Sequence, residues 1–239
     1  MGLAIIYEDK DLLALEKPAG IHSAQNAAPS SETTLLDMAL TERPELRQVA
    51  GWHPWEPAIL HRLDFATSGL LLLAKNNAAF AAMRELLAAE KVTKTYLAIT
   101  AGPASCAKLP PYIESYFMRA GRGGSRVKAV YTPKNRSHGR KCSGELYKSS
   151  FALRQQAGDF YEIAITIRRG FRHQIRAHLA EAGYPIVGDE IYNNMAAPKW
   201  SSRLYLHALA LDFTQPGSGR QIHLETGLPW DFCGLVSGE

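Results

Sequence analysis

The apolar run Leu70–Ala74 constrains the fold more than any other segment of this chain. It follows Gly69 and ends at the polar triplet 75–77, a pattern typical of a strand buried in a sheet. One carboxylate, Asp64, lies in a polar turn just ahead of this strand. An acid at the mouth of a buried strand is held rigidly beside low-dielectric material, where a carboxylate can take part in chemistry. The alternative is that Asp64 only caps the turn, as Asp often does.

The size and composition are those of one globular domain. The 239 residues are 46% hydrophobic and can bury a substantial core, so we predict a single domain over residues 1–239, with at most two lobes. No apolar run reaches the roughly 18 residues that a membrane helix needs. The first residues enter a strand pattern directly, and we therefore expect no signal peptide.

The cysteines and histidines indicate neither a disulfide framework nor a metal site. Cys106, Cys142 and Cys233 are odd in number and widely spaced, without a CxxC pair, which fits a reducing cytoplasm. The histidines form no HExxH motif, and His173 and His178 lie five positions apart, on different faces of a helix. We expect a cytoplasmic protein without a metal ion.

The positive charge is concentrated in one segment. Residues 119–141 contain eight basic residues and no acid, so the rest of the chain sums to −4 against a total of +4. Such a glycine-rich cationic strip suits a phosphate backbone, although it could equally be a solvated loop that aids solubility. The members that we predict to contact nucleic acid are Arg122, Arg126 and Arg136.

The hydrophobic pattern predicts many strands and few helices. Strands are predicted at 3–8, 12–16, 69–74, 93–99, 112–118, 126–131, 145–154, 160–167 and 204–213. Helices are predicted at 34–40, 77–90 and 172–182, and an irregular tail follows the last strand. Long strands that do not alternate with helices favour an α+β fold over a βαβ arrangement.

The segment 61–75, HRLDFATSGLLLLAK, resembles the signature of the RluA-type pseudouridine synthases. Further segments resemble that family in the expected order. They are 5–20, the Lys-x-Tyr-x-Ala strand at 94–98, the helix sequence GFRHQIRAHL at 170–179, PIVGD at 185–189 and LHA at 206–208. The resemblance covers roughly residues 3 to 215 and is weakest between 104 and 150.

This resemblance implies the fold and the catalytic residues. The implied fold is a pseudouridine-synthase catalytic domain whose central, mainly antiparallel mixed sheet is flanked by helices and loops and crossed by a cleft. Asp64 is implied as the nucleophile, and it must be ionised. Burial disfavours the charge and a nearby cation restores it; the resemblance implies that Arg176 is that cation. Tyr96 is implied as the aromatic side chain that packs against the target base. The N-terminal S4-type RNA-binding module that many family members carry is not expected here.

Two residues beside the nucleophile complete the predicted site. Arg62 resembles the family arginine that fills the space vacated by an extruded nucleotide. His61 either contacts RNA or braces the turn. One departure concerns the helix motif, in which Phe171 stands where the family usually has arginine; this leaves the assignment of Arg176 unchanged.

The sequence therefore predicts an RNA pseudouridine synthase, an isomerase acting on specific uridines in structured rRNA or tRNA. Detaching uracil and rejoining it through C5 needs no redox change, so no cofactor is expected. We expect a monomer whose partner is RNA. The alternatives are a non-catalytic RNA-binding or assembly protein on the same fold, and a nucleoside glycosidase-type hydrolase, which would release free uracil.

Overall fold

The computed structural model describes residues 2–25, 32–102, 108–132, 142–193 and 203–233. Within them the strands are β1 Ile5–Glu8, β2 Leu12–Lys17, β3 Ser68–Ala74, β4 Thr93–Ala101, β5 Tyr112–Ala120, β6 Arg126–Val130, β7 Tyr147–Ala157, β8 Phe160–Ile167, β9 Leu206–Thr214 and β10 Gln221–Glu225. The α-helices are α1 Leu35–Glu42, α2 Asn77–Ala88, α3 Gln174–Glu181 and α4 Trp230–Cys233, and two 3-10 helices span Pro44–Gln48 and Arg122–Gly124. The predicted α+β class is confirmed.

The chain divides into two compact units, Met1–Lys94 with His207–Gly227 (unit 1) and Thr95–Leu206 with Leu228–Glu239 (unit 2). The single domain over 1–239 and the cleft across the sheet stay predictions. The expectation of an irregular tail is wrong at two places: residues 221–225 form β10, which pairs antiparallel with β9, and Trp230–Cys233 form α4.

Unit 1 is built around β3. Strand β2 pairs antiparallel with β1 on one side and with β3 on the other. β3 then pairs in parallel with β9. All seven residues of β3 are buried, which confirms the buried strand predicted from the apolar run.

Gly69 permits the parallel contact between β3 and β9. It pairs with Ala208 and adopts φ +115°, a conformation that favours glycine. A Cβ at this position would lie 2.2 Å from the backbone oxygen of Ala208. A side chain here would therefore push β9 away from β3.

Both longer helices of unit 1 begin at side-chain caps. Asn76 caps α2 by accepting a hydrogen bond from the Ala79 N–H, and Phe80 and Met83 are buried on its inner face, as the apolar spacing predicts. Thr34 and Asp37 form a reciprocal capping box at the start of α1.

Unit 2 contains strands in the order β4-β8-β7-β5-β6. β5 pairs antiparallel with both β6 and β7, and β7 and β8 form a long antiparallel hairpin. Helix α3 packs on the β5–β6 hairpin, where Ala177 joins a cluster with Phe117, Val127 and Ala129. The helix is shorter than the predicted 172–182 because His173, just before it, has a left-handed backbone (φ 55°).

Candidate active site

Asp64 begins the turn that leads into β3. The Thr67 N–H donates to the Asp64 carbonyl at 3.1 Å, so Phe65 and Ala66 occupy the corners of a β-turn. Asp64 is half-buried, and Thr67 and Ser68 after it are buried. The acid thus lies at the mouth of the buried strand, as the sequence predicts.

A buried ammonium group holds this turn. Lys17 is 0% exposed, and its Nζ donates to the carbonyls of Pro18 and Ile21 at 2.8 Å and of Phe65 at 3.1 Å. The Gly20 N–H donates to the same Phe65 carbonyl at 2.9 Å. The three donors of an ammonium group suit three converging carbonyls. Lys17 therefore places a fixed positive charge against the backbone next to Asp64.

Ser23 fixes the residue on the other side of Asp64. Its hydroxyl donates to the Leu63 carbonyl and accepts from the Leu63 N–H, both at 2.9 Å, and both residues are buried. Because Leu63 and Phe65 are both anchored, the backbone that carries Asp64 is preorganised.

His61 braces the start of this segment. Its Nε2 accepts a hydrogen bond from the Leu72 N–H at 3.2 Å, while the Leu60 N–H donates to the Leu72 carbonyl. Burial, helped by the nearby Lys94 ammonium, lowers the pKa of His61 to about 3. The ring is therefore neutral, and this geometry supports the bracing role; an RNA contact by His61 stays a prediction.

Arg62 is held by the loop that precedes the motif. Its Nη1 lies 3.5 Å from Oε2 of the buried Glu56, and its Nη2 donates to the Ala24 carbonyl at 3.2 Å. To enter a gap in an RNA stem, the guanidinium would exchange these contacts for the nucleic acid.

The predicted catalytic residues are distributed over the two units. Asp64 belongs to unit 1, whereas Tyr96 and Arg176 belong to unit 2. Tyr96 is buried on β4, and Arg176 is buried on α3. The pairing of Asp64 with Arg176 and the approach of Tyr96 to a base stay predictions.

Arg176 forms a buried bidentate ion pair with Asp189. Its Nε and Nη2 each donate to one carboxylate oxygen of Asp189 at 2.8 Å. Oδ1 of Asp189 also accepts from the backbone N–H groups of Ile191 and Tyr192. Such a two-point contact fixes the plane of a guanidinium.

Sequence reasoning assigned no role to Asp189 or to Lys17. Both lie in segments that resemble the family, PIVGD at 185–189 and the opening at 5–20. That placement is the signal that could have found them.

Tyr192 joins α3 to the β5–β6 hairpin. Its hydroxyl accepts from the Val127 N–H at 2.7 Å and lies 3.2 Å from Nδ1 of His173. The Arg176 guanidinium carbon lies 5.4 Å from the centre of its ring, within range of a cation–π contact. Burial raises the pKa of Tyr192, so the phenol keeps its proton at neutral pH.

Phe171, the residue at which the sequence departs from the family motif, is part of a hydrophobic cluster. Its ring stacks on Phe117 with centroids 5.0 Å apart and planes 6° apart, and it contacts Tyr147 at 5.0 Å.

His178 is the polar member beneath this cluster. Its ring nitrogens lie 2.9 Å from the hydroxyls of Ser115 and Ser149. Burial lowers the pKa of His178 to about 4, so it is neutral and serves packing.

Two of the three predicted RNA-contacting arginines, Arg122 and Arg126, lie at the tip of the β5–β6 hairpin. Arg122 begins the 3-10 turn between the two strands, and Arg126 begins β6; both are exposed. Arg172 donates to the Gly124 carbonyl at 2.6 Å and ties this tip to the segment before α3. Arg136 lies outside the described residues.

Two negative findings concern the described part of the chain. Among the described residues, no group of three or more His, Cys, Asp or Glu side chains could hold a metal ion. None of the described helices is long and apolar enough to cross a membrane.

Comparison with known proteins identifies the family of this chain. The model of the RNA pseudouridylate synthase family matches residues 11–181. The chain belongs to this family. The matched region contains the Asp64 turn, Tyr96 and Arg176, and it ends before Asp189.

Relatives and solved structures of the RNA pseudouridylate synthase family agree. Ribosomal large subunit pseudouridine synthase D of Neisseria meningitidis is 30% identical over 99% of this chain, which spans 61% of that protein's length. Ribosomal large subunit pseudouridine synthase C of Rickettsia felis is 30% identical over 95% of this chain and 68% of its own length. The structure of human RNA Pseudouridylate Synthase Domain Containing 4 is 22% identical, superimposes with a TM-score of 0.70 and covers 96% of this chain and 90% of that one; it supports the fold.

Proposed function

We propose that this protein is an RNA pseudouridine synthase that isomerises specific uridines in structured RNA, with Asp64 as its nucleophile. The observation that carries the proposal is the preorganised HRLD turn. Its acid lies at the mouth of a buried strand and is flanked by two anchored residues, Leu63 and Phe65. This turn lies inside the region that matches the family.

The chemistry balances without an outside reagent. The bond between N1 of uracil and C1′ of ribose breaks, the base turns, and a bond forms between C5 and C1′. C5 loses its proton and N1 gains one, so no electrons are transferred. In this proposal the carboxylate of Asp64 acts on the nucleoside, and the phenol of Tyr96 stacks on the base and can help to remove the C5 proton.

Arg176 is assigned a role at the carboxylate. A guanidinium near Asp64 would keep it ionised and fix its direction. Asp189 supports this role because it binds the Nε–Nη2 edge of the Arg176 guanidinium and so orients the side chain. The other edge of the planar guanidinium then has a defined direction. Asp189 is a positioning residue in this scheme.

The relatives favour ribosomal RNA as the substrate. Two of them are named as ribosomal large subunit pseudouridine synthases, and we propose a large-subunit rRNA uridine, with tRNA as the second candidate. We place the protein in the cytoplasm, where that RNA is processed, and as a monomer.

The direct test is to map pseudouridines. Total RNA from cells lacking the gene is incubated with the purified protein without added cofactor, and pseudouridines are located by chemical modification. We expect at least one new pseudouridine with the unaltered protein and none with Asp64→Asn, which should still bind RNA. Asp212→Asn, at an exposed acid in the same unit, is the control and should remain active.

Other outcomes separate the alternatives. Release of free uracil would show a glycosidase-type hydrolase. Full activity of Asp64→Asn would refute the nucleophile, and rescue of a gene deletion by that variant would indicate a non-catalytic RNA-binding protein.

The basic segment 119–141 is proposed to contact the RNA backbone. Each phosphate contact that is lost lowers the dependence of log K on log salt by about 0.7 to 0.9. Replacing Arg122, Arg126 and Arg136 together by Gln should therefore weaken RNA binding and lower this slope by about 2. An unchanged slope would make the segment a solubility loop.

A further inference from the structure

A short rigid loop that carries two exposed tryptophans lies just ahead of the HRLD segment. We call residues 51–57 the aromatic loop. Gly51 and Pro57 form an antiparallel bridge at its base, and the Glu56 N–H donates to the His53 carbonyl at 3.1 Å across a turn. A Cβ on Gly51 would lie 2.2 Å from the Glu56 carbonyl oxygen, so the tight closure requires glycine. The loop is therefore preorganised.

Trp52 is fixed in orientation yet remains accessible. Its indole N–H donates to the Leu60 carbonyl at 3.2 Å, its ring contacts Phe80 edge-on at 6.2 Å, and the side chain is 43% exposed. The Arg84 guanidinium lies 4.7 Å from the centre of the Trp52 ring. An aromatic face beside a guanidinium is an arrangement that attracts both a nucleobase and a phosphate.

Trp55 already shows the stacking geometry of a base platform. The ring of His53 lies parallel to it, with centroids 4.7 Å apart and planes 9° apart. Trp55 is 42% exposed, so a further planar ring can extend this stack. Stacking on exposed aromatic rings is how proteins bind unpaired bases with little regard to sequence.

The charges around the loop favour a polyanion. Its single acid, Glu56, is buried and lies between His53 at 3.8 Å and Arg62 at 3.5 Å. Its negative charge is thus turned inward, whereas Arg62 and Arg84 lie at the surface of the loop. A single exposed apolar residue is common on protein surfaces. Two exposed tryptophans within seven residues are unusual, and here one contacts a histidine ring and the other a guanidinium.

We propose that the aromatic loop binds an unpaired base of the RNA substrate by stacking on Trp55, with Trp52 and Arg84 holding the adjacent nucleotide. This rests on the proposed function, because it names how the same RNA is gripped next to the HRLD segment. The Glu56–Arg62 ion pair and the bond from Trp52 to Leu60 join the loop to that segment. A stacked neighbour would hold the strand while the target uridine is extruded.

The test compares binding of single-stranded and paired RNA. The full chain carrying Asp64→Asn is titrated with a mixed-sequence RNA of about 12 nucleotides, alone and annealed to its complement, while tryptophan fluorescence is recorded. We expect quenching by the single strand and little by the duplex. Trp55→Ala should weaken single-strand binding about five- to 100-fold.

Substitutions at the same position separate stacking from loss of fold. Trp55→Phe keeps an aromatic face and should keep most of the affinity, whereas Trp55→Leu keeps an apolar side chain and should lose it. Tyr112→Ala is the matched control, because Tyr112 is also an exposed ring, with Lys148 Nζ 4.2 Å from its centre; it should bind like the parent.

Three results would overturn the proposal. The first is equal RNA affinity of the Trp55→Leu and Trp55→Phe proteins. The second is a loss of affinity in Tyr112→Ala as large as that in Trp55→Ala. The third is a Trp55→Ala protein with unchanged RNA affinity whose self-association, measured by sedimentation, differs from that of the parent. Because binding is measured in the Asp64→Asn background, failure of pseudouridine formation by the parent protein would leave this result unaffected. The two failures are therefore distinguishable.

Discussion

In unit 1 the turn that carries Asp64 is held through its backbone, whereas in unit 2 Arg176 is held through its own side chain. Lys17 binds the carbonyls around the turn, and Asp189 binds the Arg176 guanidinium itself. The contact in unit 1 is between a cation and neutral carbonyl groups, and the contact in unit 2 is an ion pair.

The difference follows from the chemistry of the two groups. In the proposed mechanism the Asp64 carboxylate offers its oxygens to the substrate, and the contacts of Lys17 and Ser23 act on the neighbouring backbone. A guanidinium carries five N–H donors in a rigid plane. It can give one edge to a support without losing its direction at the other edge.

The largest expected effect is at the ion pair. Removing one partner of a buried pair leaves the other charge in a poorly solvated place, so Asp189→Ala should lower the free energy of unfolding by about 3–5 kcal/mol. Urea denaturation measures this. Asp212→Ala, at an exposed ion pair, should change it by no more than about 0.5 kcal/mol. A loss below about 1 kcal/mol at Asp189 would show that the pair does not fix Arg176.

A smaller loss is expected at the backbone clamp. Lys17→Met keeps an unbranched apolar stem but removes the side-chain donor to three carbonyls, of which that of Phe65 keeps the Gly20 N–H. Each unsatisfied buried acceptor costs about 1–3 kcal/mol, partly offset because a buried charge is also removed, so we expect a net loss of about 2–3 kcal/mol.

The control for the clamp is a lysine at the surface. Lys10→Met alters a side chain that is 88% exposed and should leave the urea midpoint unchanged. A Lys17→Met protein as stable as the parent, with full activity, would mean that the turn is held by Ser23 and Gly20 alone.

Each unit also contains a neutral histidine with a strongly lowered pKa, His61 in unit 1 and His178 in unit 2, and these give a pH dependence. The pKa of His61 is about 3, because of burial and the Lys94 charge, and that of His178 is about 4, because of burial, against 6.5 for an unperturbed histidine. Below pH 6.5 the unfolded chain takes up protons that the folded chain does not. The free energy of unfolding should therefore fall as the pH falls from 6.5 towards each folded pKa.

Glutamine substitutions show how much each of the two histidines contributes to this pH dependence. The slope of the free energy of unfolding against pH is set by the number of protons that the chain takes up on unfolding. His61→Gln and His178→Gln should each lower this number by up to about one. Urea midpoints at intervals between pH 4 and 7 measure it. A slope that stays the same in both variants would show that these rings are protonated in the folded protein.

The smallest expected effect is at the surface of unit 1. Asp212 and Glu225 raise the pKa of His223 by hydrogen bonding to its ring. Its stabilising contribution is present below pH 6.5 and is lost as the pH rises through the raised value. Because these groups are exposed, His223→Ala should cost only a few tenths of a kcal/mol at pH 6, and salt should remove the difference in thermal unfolding temperature.

Local features of the fold could be predicted from the sequence. The burial of β3 follows from an apolar run between breakers, and the start of α2 follows from Asn76 ahead of an apolar stripe. The position of Asp64 before a buried strand follows from the same segment. Each of these depends on neighbours within a few residues.

What the sequence did not reveal depends on contacts that exist only in the folded protein. Lys17 is an ordinary surface residue by type, and only the carbonyls that converge on it explain its complete burial. Asp189 follows the end of α3 and reaches Arg176 only when the chain folds back. The place of Phe171 in the motif is explained only by its contacts with Phe117 and Tyr147. β10 has only two apolar residues, Ile222 and Leu224, in a five-residue segment, and it becomes a strand by pairing with β9.

The parallel contact between Gly69 and Ala208 has a consequence for protein synthesis. Unit 1 cannot complete its sheet until β9 has left the ribosome, about 140 residues after β3. At about 5–20 residues per second this interval is roughly 7–28 seconds. During that time the Ser68–Gly69 end of β3, next to the Asp64 turn, lacks its partner on β9 and is a site where nascent chains can associate wrongly.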